Sequence, residues 1–305
     1  MTAHYRDLNT YLRARFGHRV HKLTVDAGMT CPNRDGTLSR AGCIYCNARG
    51  SGTGAYRRGM SVRQQLQDSK ARMARRYKAQ QFIAYFQSFT NTYAPLERLA
   101  RLYEEALAEE DVVGLAIGTR PDCVDDAVLD LLAGYARDYL VWMEYGLQSA
   151  HDDTLRRINR GHDAACFSET LERTRRRNLP VCAHVILGLP GETRRQMLDT
   201  AHYLAERAID GVKLHLLYVV RDTPLATLYR QGRFDCLSQK AYVNLVCDFI
   251  ERLPPHTVIQ RVTGDPHPDE LVAPAWALRK RETLEAIQRA FARRQSRQGL
   301  HCRTA

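Results

Sequence analysis

Three cysteines cluster near the front of the sequence, as Cys31, Cys43 and Cys46 in the segment CPNRDGTLSRAGCIYC. A Cys-x-x-Cys pair such as the last two places two thiolates within reach of one metal centre. The proline and glycines of the segment predict a loop, and loops commonly present ligands. The sequence therefore predicts that this loop carries metal or redox chemistry.

Three interpretations account for this loop. A structural zinc site needs a fourth ligand, which would come from a distant residue such as His18 or His21. A redox-active dithiol explains Cys43 and Cys46 but leaves Cys31 without a role. A [4Fe–4S] cluster held by three thiolates keeps one iron open to substrate. From the cysteines alone, zinc and iron–sulfur are equally supported.

The elements that must position this loop alternate regularly along the chain of 305 residues. Short apolar segments predict strands over 22–28, 81–87, 112–119, 140–148, 180–189 and 211–220. Helical patterns fall between them, over 61–78, 95–110, 125–138, 151–178 and 194–208. Apolar strands separated by helices are typical of a parallel sheet covered by helices.

The absence of a phosphate-binding glycine motif favours a barrel over a doubly wound sheet. We expect an α/β fold, a partial (β/α)6 TIM-like barrel with a short α/β C-terminal extension. The expected boundaries are a helical lead-in over 1–19, the barrel over 20–265 and a basic, helical extension over 266–305.

Composition limits the remaining classes of protein. The chain has 45 Lys and Arg against 34 Asp and Glu, a formal charge of +11. Such an excess suits either a polyanionic partner or solubility alone. No apolar run approaches the roughly 20 residues of a membrane span, and the charged N-terminus lacks the apolar core of a signal peptide. We therefore expect a cytoplasmic protein with no membrane partner and with reduced cysteines.

Polar and glycine-containing segments follow several of the predicted strands. GTRPD (118–122), GLQS (146–149) and GLPGE (188–192) follow the third, fourth and fifth strands, and the cysteine loop follows the first. In such barrels the chemistry lies at the C-terminal ends of the strands. A catalytic cluster is therefore more consistent with a position at the C-terminal rim of the barrel than a structural zinc ion is.

The combination of CPNRDGT, GCIYCN, GTRPDC, EYGLQSAHDDTLRRINRGHD and HVILGLPGET resembles the radical S-adenosylmethionine (SAM) superfamily. Within it the chain looks similar to the branch that includes the elongator catalytic subunit, and most of all to the smaller YhcC/YtqA-type bacterial proteins. The resemblance covers roughly residues 20–265. It implies that Cys31, Cys43 and Cys46 hold a [4Fe–4S] cluster whose open iron binds SAM, and that reductive cleavage of SAM yields a radical that abstracts hydrogen from a substrate.

The same resemblance implies further contacts to SAM. Arg160 matches a family arginine near the SAM carboxylate, a task that suits a guanidinium. Gln148 matches a polar residue near the ribose or the methionine part. Gly188, with Ile186 before it, matches the segment whose backbone meets adenine. Glu144 shares a strand face with Gln148. Its role is either to contact SAM or to form an ion pair in the core.

Two segments depart from the family pattern. A glycine-rich motif that binds the SAM amino group is replaced after the second strand by YFQSFTNTY, where the possible acceptors are Gln87, Ser88, Thr90 and Asn91. Gly118 stands where elongator-type relatives have a glutamate, so we expect Glu144, Gln148 or water to take that role.

Several polar residues point into the predicted barrel or lie at its mouth. Cys182 and His184 share one face of the fifth strand, and Lys213 and His215 share one face of the sixth. They are expected either to contact substrate or to serve as core support. Cys123 follows TRPD at the mouth and is expected to be inert rather than reactive.

The resemblance makes the wobble uridine of tRNA the leading substrate, and the basic segments 57–78 and 279–297 suit phosphate binding. A small metabolite or a protein is the alternative substrate, and a zinc-stapled RNA-binding barrel without catalysis is the alternative class. Radical chemistry implies an electron donor such as flavodoxin or ferredoxin. The residues after about 265 are too few for the acetyltransferase domain of larger relatives, so acetyl-CoA is not expected.

Overall fold

The structure, a computed structural model, describes residues 4–48, 50, 55–77 and 79–302. The ends of the expected terminal segments, 1–3 and 303–305, and position 78 of the expected helix 61–78 lie outside these ranges. The strands are β1 (Val20–Val25), β2 (Gln81–Phe86), β3 (Val112–Thr119), β4 (Leu140–Gln148), β5 (Val181–Leu187), β6 (Gly211–Leu216), β7 (Val219–Val220), β8 (Val258–Arg261) and β9 (Leu271–Ala273).

The helices alternate with these strands through most of the chain. They are α1 (Leu8–Phe16), α2 (Pro32–Asp35), α3 (Val62–Tyr77), α4 (Leu96–Leu107), α5 (Asp126–Tyr135), α6 (Asp152–Arg157), α7 (Ala164–Arg175), α8 (Arg194–Glu206), α9 (Pro224–Arg230), α10 (Gln239–Glu251) and α11 (Lys280–Arg294). Short 3₁₀ turns cover Tyr56–Arg58, Pro121–Cys123 and Ala275–Leu278.

Seven parallel strands form one sheet in the order β1-β2-β3-β4-β5-β6-β8. The sheet curls so that its two edges approach each other, since Lys22 on β1 donates from Nζ to Oε1 of Gln260 on β8 at 2.6 Å. The α/β partial barrel expected from the sequence is confirmed. The number of strands is corrected from six to seven, because β8 has only four residues and the polar Gln260 and Arg261 interrupt its apolar pattern.

Two expected elements are divided in the structure. The strand expected over 211–220 ends at Leu216, and β7 leaves the barrel to pair antiparallel with β9. The helical region expected over 151–178 breaks between α6 and α7, where Asn159 and Gly161 have positive φ angles of 53° and 80°. Glycine adopts this conformation at little cost, and the break places the segment NRGH at the C-terminal rim of the barrel.

The alternation of side chains along the strands separates two apolar layers. The outer face packs against the helices in a continuous core that includes Phe86, Tyr103, Tyr145 and Phe249. The inner face meets α1, whose Leu12 packs with residues near the strand starts such as Trp142. Helix α1 therefore closes the N-terminal end of the barrel and leaves the opposite end for the functional loops.

The C-terminal segment returns to the barrel. Helix α11 packs along α10, where Nε2 of Gln239 donates to Oγ1 of Thr283 at 2.9 Å. The following residues turn back to the lead-in, since the amide of Gln298 donates to the carbonyl of His4 at 2.9 Å. The expected extension is thus held against α10 and against the N-terminal lead-in.

Candidate active site

The cysteine loop begins with a single helical turn. Cys31 precedes α2, and its carbonyl accepts from the amides of Arg34 at 2.8 Å and Asp35 at 3.1 Å. Gly42, with φ of 71°, turns the chain back so that Cys43 and Cys46 follow it. The amide of Cys46 donates to the carbonyl of Cys43 at 2.9 Å, which fixes the Cys-x-x-Cys turn.

Contacts from two later elements hold this loop on the rim. The amide of Ile44 donates to the carbonyl of Ile158 at 3.1 Å, and the carbonyl of Ile44 accepts from the amide of Leu225 at 2.9 Å. Nδ2 of Asn159 donates to the carbonyl of Gly42 at 2.7 Å. The cysteine loop is therefore fixed by the C-terminal end of α6 and by α9.

The three thiols lie close enough to influence one another electrostatically. Burial raises the pKa of the Cys46 thiol to about 11, with Cys43 and Cys31 adding to the effect and the guanidiniums of Arg34 and Arg160 opposing it. Three neighbouring thiolates, of which that of Cys43 is buried, repel one another unless positive charge compensates them. Iron ions supply that charge, and three thiolates are a donor set that iron–sulfur clusters use, so these residues fit a cluster.

Other interpretations of the loop find less support in the geometry. His18, offered as a fourth zinc ligand, instead contacts Oε1 of Gln81 through Nε2 at 2.8 Å. Gln81 begins β2, so His18 lies at the end of the sheet opposite to the cysteine loop.

Arg160 lies directly beside the cysteine loop. Its side chain is buried; Nη2 and Nε donate to the carbonyl of Gly146 at 2.7 Å and 3.2 Å, and Nη1 lies 3.8 Å from Sγ of Cys43. Gln148 has a positive φ of 74°, and its side chain lies next to that of Arg160, above Gly146. A Cβ atom on Gly146 would lie 2.5 Å from Nη2 of Arg160 and 2.6 Å from Nε2 of Gln148. The two residues predicted to bind SAM are thus adjacent.

A second arginine supports the first. Arg120, from the TRPD segment after β3, is only 2% exposed and donates to both carboxylate oxygens of Asp122 at 2.8 Å and 2.7 Å. Its Nη1 donates to the main-chain carbonyl of Arg160 at 2.8 Å. Arg120 was missed at the sequence level, where the Arg-x-Asp spacing of Arg120 and Asp122 is the available signal for a bidentate pair.

The segment after β2 carries buried acceptors without partners. In the described part of the chain, Oγ of Ser88, Oγ1 of Thr90 and Oδ1 of Asn91 are shielded from solvent and accept no hydrogen bond. Buried polar atoms normally find partners, and an ammonium group supplies three donors. These three residues therefore fit the amino group of SAM, a contact that stays a prediction, whereas Gln87 has other interactions.

Gly188 and Ile186 lie at the C-terminal end of β5. Gly188 has φ of 93°, and its amide contacts Sδ of Met197 at 3.2 Å. Ile186 belongs to a buried apolar cluster below the cysteine loop that also contains Leu217 and Phe234. This apolar surface is compatible with the adenine contact that the family resemblance implies, which stays a prediction.

Glu144 lies deep in the barrel and is completely buried. Oε1 accepts from Nζ of Lys22, and Oε2 accepts from Nζ of Lys213 and contacts Nε2 of His184 at 2.9 Å. Burial alone would raise the pKa of Glu144, but the two ammonium groups outweigh it and hold the pKa well below its ordinary value. Of the two explanations offered for Glu144, the structure shows the core ion pair, and a contact to SAM stays a prediction.

The other inward residues surround this ion pair. The rings of His184 and His215 are in tilted contact, with centroids 5.1 Å apart, and Nζ of Lys213 lies 3.9 Å from the centre of the Tyr85 ring. Burial holds the pKa of His184 at about 4. Cys182 is fully buried beside them, and burial raises its pKa above the ordinary range. Lys22 was missed at the sequence level, since it lies in a strand of otherwise ordinary composition.

Cys123 lies away from the barrel interior, in a rim cavity of about 590 Å³ that is also lined by Thr92, Tyr93 and Asp122. Burial, followed by the Asp122 carboxylate, raises the pKa of the Cys123 thiol to about 12. The thiol is therefore protonated near neutral pH, which agrees with the expected inert cysteine.

Together these features define an α/β partial-barrel protein with a cysteine triad at the C-terminal rim and SAM-compatible groups around it. The family model described as Radical SAM superfamily matches residues 31–204, and the Radical_SAM C-terminal domain matches residues 209–293. The chain belongs to the Radical SAM superfamily. Its cofactors are accordingly a [4Fe–4S] cluster and S-adenosylmethionine.

Individual relatives agree with this assignment. The protein YtqA of Bacillus subtilis is 44% identical over 295 residues, covering 97% of this chain and 92% of that protein. YhcC of Escherichia coli K12 is 42% identical over 266 residues, covering 87% and 85%. The Schizosaccharomyces pombe Elongator complex protein 3 is 31% identical over 177 residues, covering 57% of this chain and 32% of that protein.

A solved structure shows the same fold. The Elp3 protein of Methanocaldococcus infernus with an N-terminal deletion superposes with a TM-score of 0.70 and 15% sequence identity, covering 92% of this chain and 64% of that one. Separately, no helix within the described ranges combines the length and the apolar character needed to cross a bilayer.

Proposed function

We propose that this radical SAM enzyme acts on the side chain of a modified wobble uridine in tRNA. The sequence similarity to Elongator complex protein 3 carries the proposal, because it extends over 177 residues at 31% identity. Since only 32% of that protein is matched, activities of its remaining parts are not transferred, and acetyl-CoA has no part in the proposal.

The arrangement of the site supports hydrogen abstraction from a group that enters the barrel. When bound, the cluster and SAM supply the radical that removes a hydrogen atom from substrate. Arg160 and Gln148 hold SAM at the rim, and Ser88, Thr90 and Asn91 receive its amino group. His184 and His215 lie below and are partly exposed, so a substrate group that passes the rim reaches a polar lumen.

A basic cleft supports binding of a polyanion. Helices α10 and α11 enclose a cleft of about 270 Å³ whose lining includes Lys240, Arg289, Arg293, Gln239 and Asn244. Within the described residues, no carboxylate lies in this lining. Cationic and amide side chains of this kind bind the phosphates of nucleic acids without reading sequence.

Two further expectations belong to the proposal. A flavodoxin or ferredoxin would supply the electron that reduces the cluster, and the cytoplasm, where tRNA is found, would be the site of action. The choice of donor is tested with the purified enzyme: it should cleave SAM with a reduced flavodoxin under anaerobic conditions, and a protein that cleaves SAM only with a chemical reductant would contradict this choice.

The decisive experiment compares tRNA nucleosides by mass spectrometry. A strain that lacks the gene should accumulate an unprocessed uridine derivative at the wobble position. The wild-type gene should restore the profile, and the Cys43→Ala variant should not. A nucleoside profile identical in the deletion strain and the parent would overturn the tRNA assignment.

A binding experiment tests the basic cleft. The double substitution Arg289→Glu and Arg293→Glu should weaken tRNA binding by about tenfold and lower its salt dependence, because two phosphate contacts are lost. Arg281→Glu on the same helix is the control, since its side chain is 93% exposed and lies outside the cleft. Equal effects of both changes would indicate only a loss of overall charge.

A further inference from the structure

The floor of the barrel lumen carries more positive than negative charge. Lys22 and Lys213 share the single carboxylate of Glu144, and Arg261 lies beside Lys213 in the pairing of β6 with β8. The guanidinium of Arg261 makes no hydrogen bond or ion pair with any residue that the structure describes. Lys22, Lys213 and Arg261 therefore face one carboxylate, and burial lowers the pKa of Lys213 to about 7 because its charge is incompletely compensated. A partly buried excess of positive charge is costly unless an anion compensates it.

The position of Arg261 follows from an irregularity in the sheet. The register shifts between β6 and β8, so that Val212 pairs with Ile259 and Lys213 pairs with Arg261, and Gln260 is skipped. Bulges of this kind redirect side chains and are common next to active sites. Gln260 thereby reaches Lys22, while Arg261 comes next to Lys213.

The groups near Arg261 retain unused hydrogen-bond donors. Nε2 of His215 is shielded from solvent and has no partner in the described part of the chain. Burial, the neighbouring His184 and the positive charge of Arg261 hold the pKa of His215 well below its ordinary value, so the ring is neutral and donates through Nε2 in one tautomer. Lys213 has one carboxylate partner, Glu144, for its three N–H donors.

We propose that Arg261, His215 and Lys213 form a carboxylate-binding subsite on the lumen floor, which receives an acidic group at the end of the substrate side chain. The guanidinium suits a carboxylate because its parallel N–H groups match the two oxygens. The inference rests on the proposed function in one respect, since it specifies the uridine side chain as one that ends in a carboxylate. The role of these residues is binding and positioning.

The test uses two nucleosides that differ only in charge. Calorimetric titration of the cluster-loaded, SAM-bound enzyme with 5-carboxymethyluridine and with its neutral counterpart 5-carbamoylmethyluridine compares a carboxylate with an amide of nearly the same shape. The carboxylate should bind at least about tenfold more tightly, because charge-assisted hydrogen bonds to an anion are lost with the amide.

Substitution of Arg261 shows whether this preference comes from the subsite. Arg261→Gln should abolish the preference without unfolding the protein, since the side chain holds no other residue in place, and Arg261→Lys should retain part of it. Arg281→Gln, on the exposed surface of α11, should leave the preference unchanged. Equal binding of the two nucleosides to the wild type, failure of both to bind at millimolar concentration, or an unchanged preference in Arg261→Gln would overturn the proposal.

The phosphate of a nucleotide offers related chemistry and is tested separately. Uridine 5′-monophosphate should bind no more tightly than uridine, and an Arg261-dependent gain from the phosphate would overturn the carboxylate assignment. A carboxylate preference with an unaltered tRNA profile in the deletion strain would keep the subsite and refute the tRNA substrate. An altered nucleoside profile in the deletion strain with no carboxylate preference would support the tRNA substrate and refute the carboxylate subsite.

Discussion

The guanidinium of Arg120 donates from Nη1 to the main-chain carbonyl of Arg160 at 2.8 Å. The same side chain binds both oxygens of Asp122, so the loop after β3 fixes the segment that follows α6. Arg160 in turn reaches Gly146 and Cys43. The strand-three motif therefore positions the predicted SAM ligand through a chain of buried contacts.

Arg120→Lys should weaken SAM binding while the cluster is retained. Lysine replaces the planar guanidinium by one ammonium group and loses the contact to the Arg160 carbonyl. We therefore expect the dissociation constant of SAM to increase by about tenfold. Equilibrium binding of SAM to the reconstituted enzyme measures it. Arg173→Lys, at a more exposed pair with Asp126, is the control; if both variants bind SAM as the wild type does, the positioning role is refuted.

Cys43→Ala should abolish cluster binding, since the triad loses one of three thiolates. Cys236→Ala should leave the cluster intact, because Cys236 is not among the triad and lies in the apolar cluster below the loop. Iron and sulfide analysis after anaerobic reconstitution measures both. Equal iron contents in the two variants would show that the wrong thiols were chosen.

Gly146→Ala tests the close packing beneath the SAM site. The added Cβ would lie 2.5 Å from Nη2 of Arg160 and 2.6 Å from Nε2 of Gln148, so both side chains must move and SAM cleavage should fall by about tenfold or more. Gly134→Ala in α5 is the matched control. A Cβ there meets no atom within 4 Å, and the helix should gain about 0.5–1 kcal/mol. Unaltered SAM cleavage by Gly146→Ala would contradict the assignment.

Glu144→Gln should destabilise the apoprotein strongly. The change leaves two buried ammonium groups without their carboxylate, which typically costs about 3–5 kcal/mol. Urea denaturation measures the free energy of unfolding. Glu285→Gln, at an exposed i,i+4 pair with Arg281, should change it by less than about 0.5 kcal/mol. A loss for Glu144→Gln as small as for the control would mean that the lysines are not held as the structure shows.

Acid should destabilise the apoprotein below about pH 6.5, the ordinary pKa of histidine. Burial, with the charge of Arg160 adding to it, lowers the pKa of His162 to about 3, and burial lowers that of His184 to about 4. The unfolded chain then binds protons first as the pH falls, so the free energy of unfolding decreases by up to about 1.4 kcal/mol per pH unit for each histidine.

Denaturation of the wild type and of His162→Asn between about pH 7 and about pH 5 checks this dependence. The variant should lose stability less steeply than the wild type, because one histidine no longer takes up a proton on unfolding. Parallel slopes for the two proteins would show that His162 is not buried in the neutral form.

The sequence by itself determined the chemistry of the cluster and the class of fold. The spacing of Cys31, Cys43 and Cys46, together with the motifs after the third, fourth and fifth strands, identified the superfamily. Apolar strands alternating with helices predicted the partial barrel, because local periodicity reports which face of each element is buried. These signals are contained in contiguous segments and need no knowledge of distant contacts.

Only the tertiary structure decided which polar residues act together. The short strand β8 escaped prediction because its four residues alternate poorly, yet the sheet pairs Arg261 with Lys213 and brings Gln260 to Lys22. Glu144 was open to two explanations until the fold surrounded it with two lysines and a histidine. Such contacts join residues that lie between 40 and 238 positions apart, and their energies depend on burial and on distances that curvature of the sheet creates.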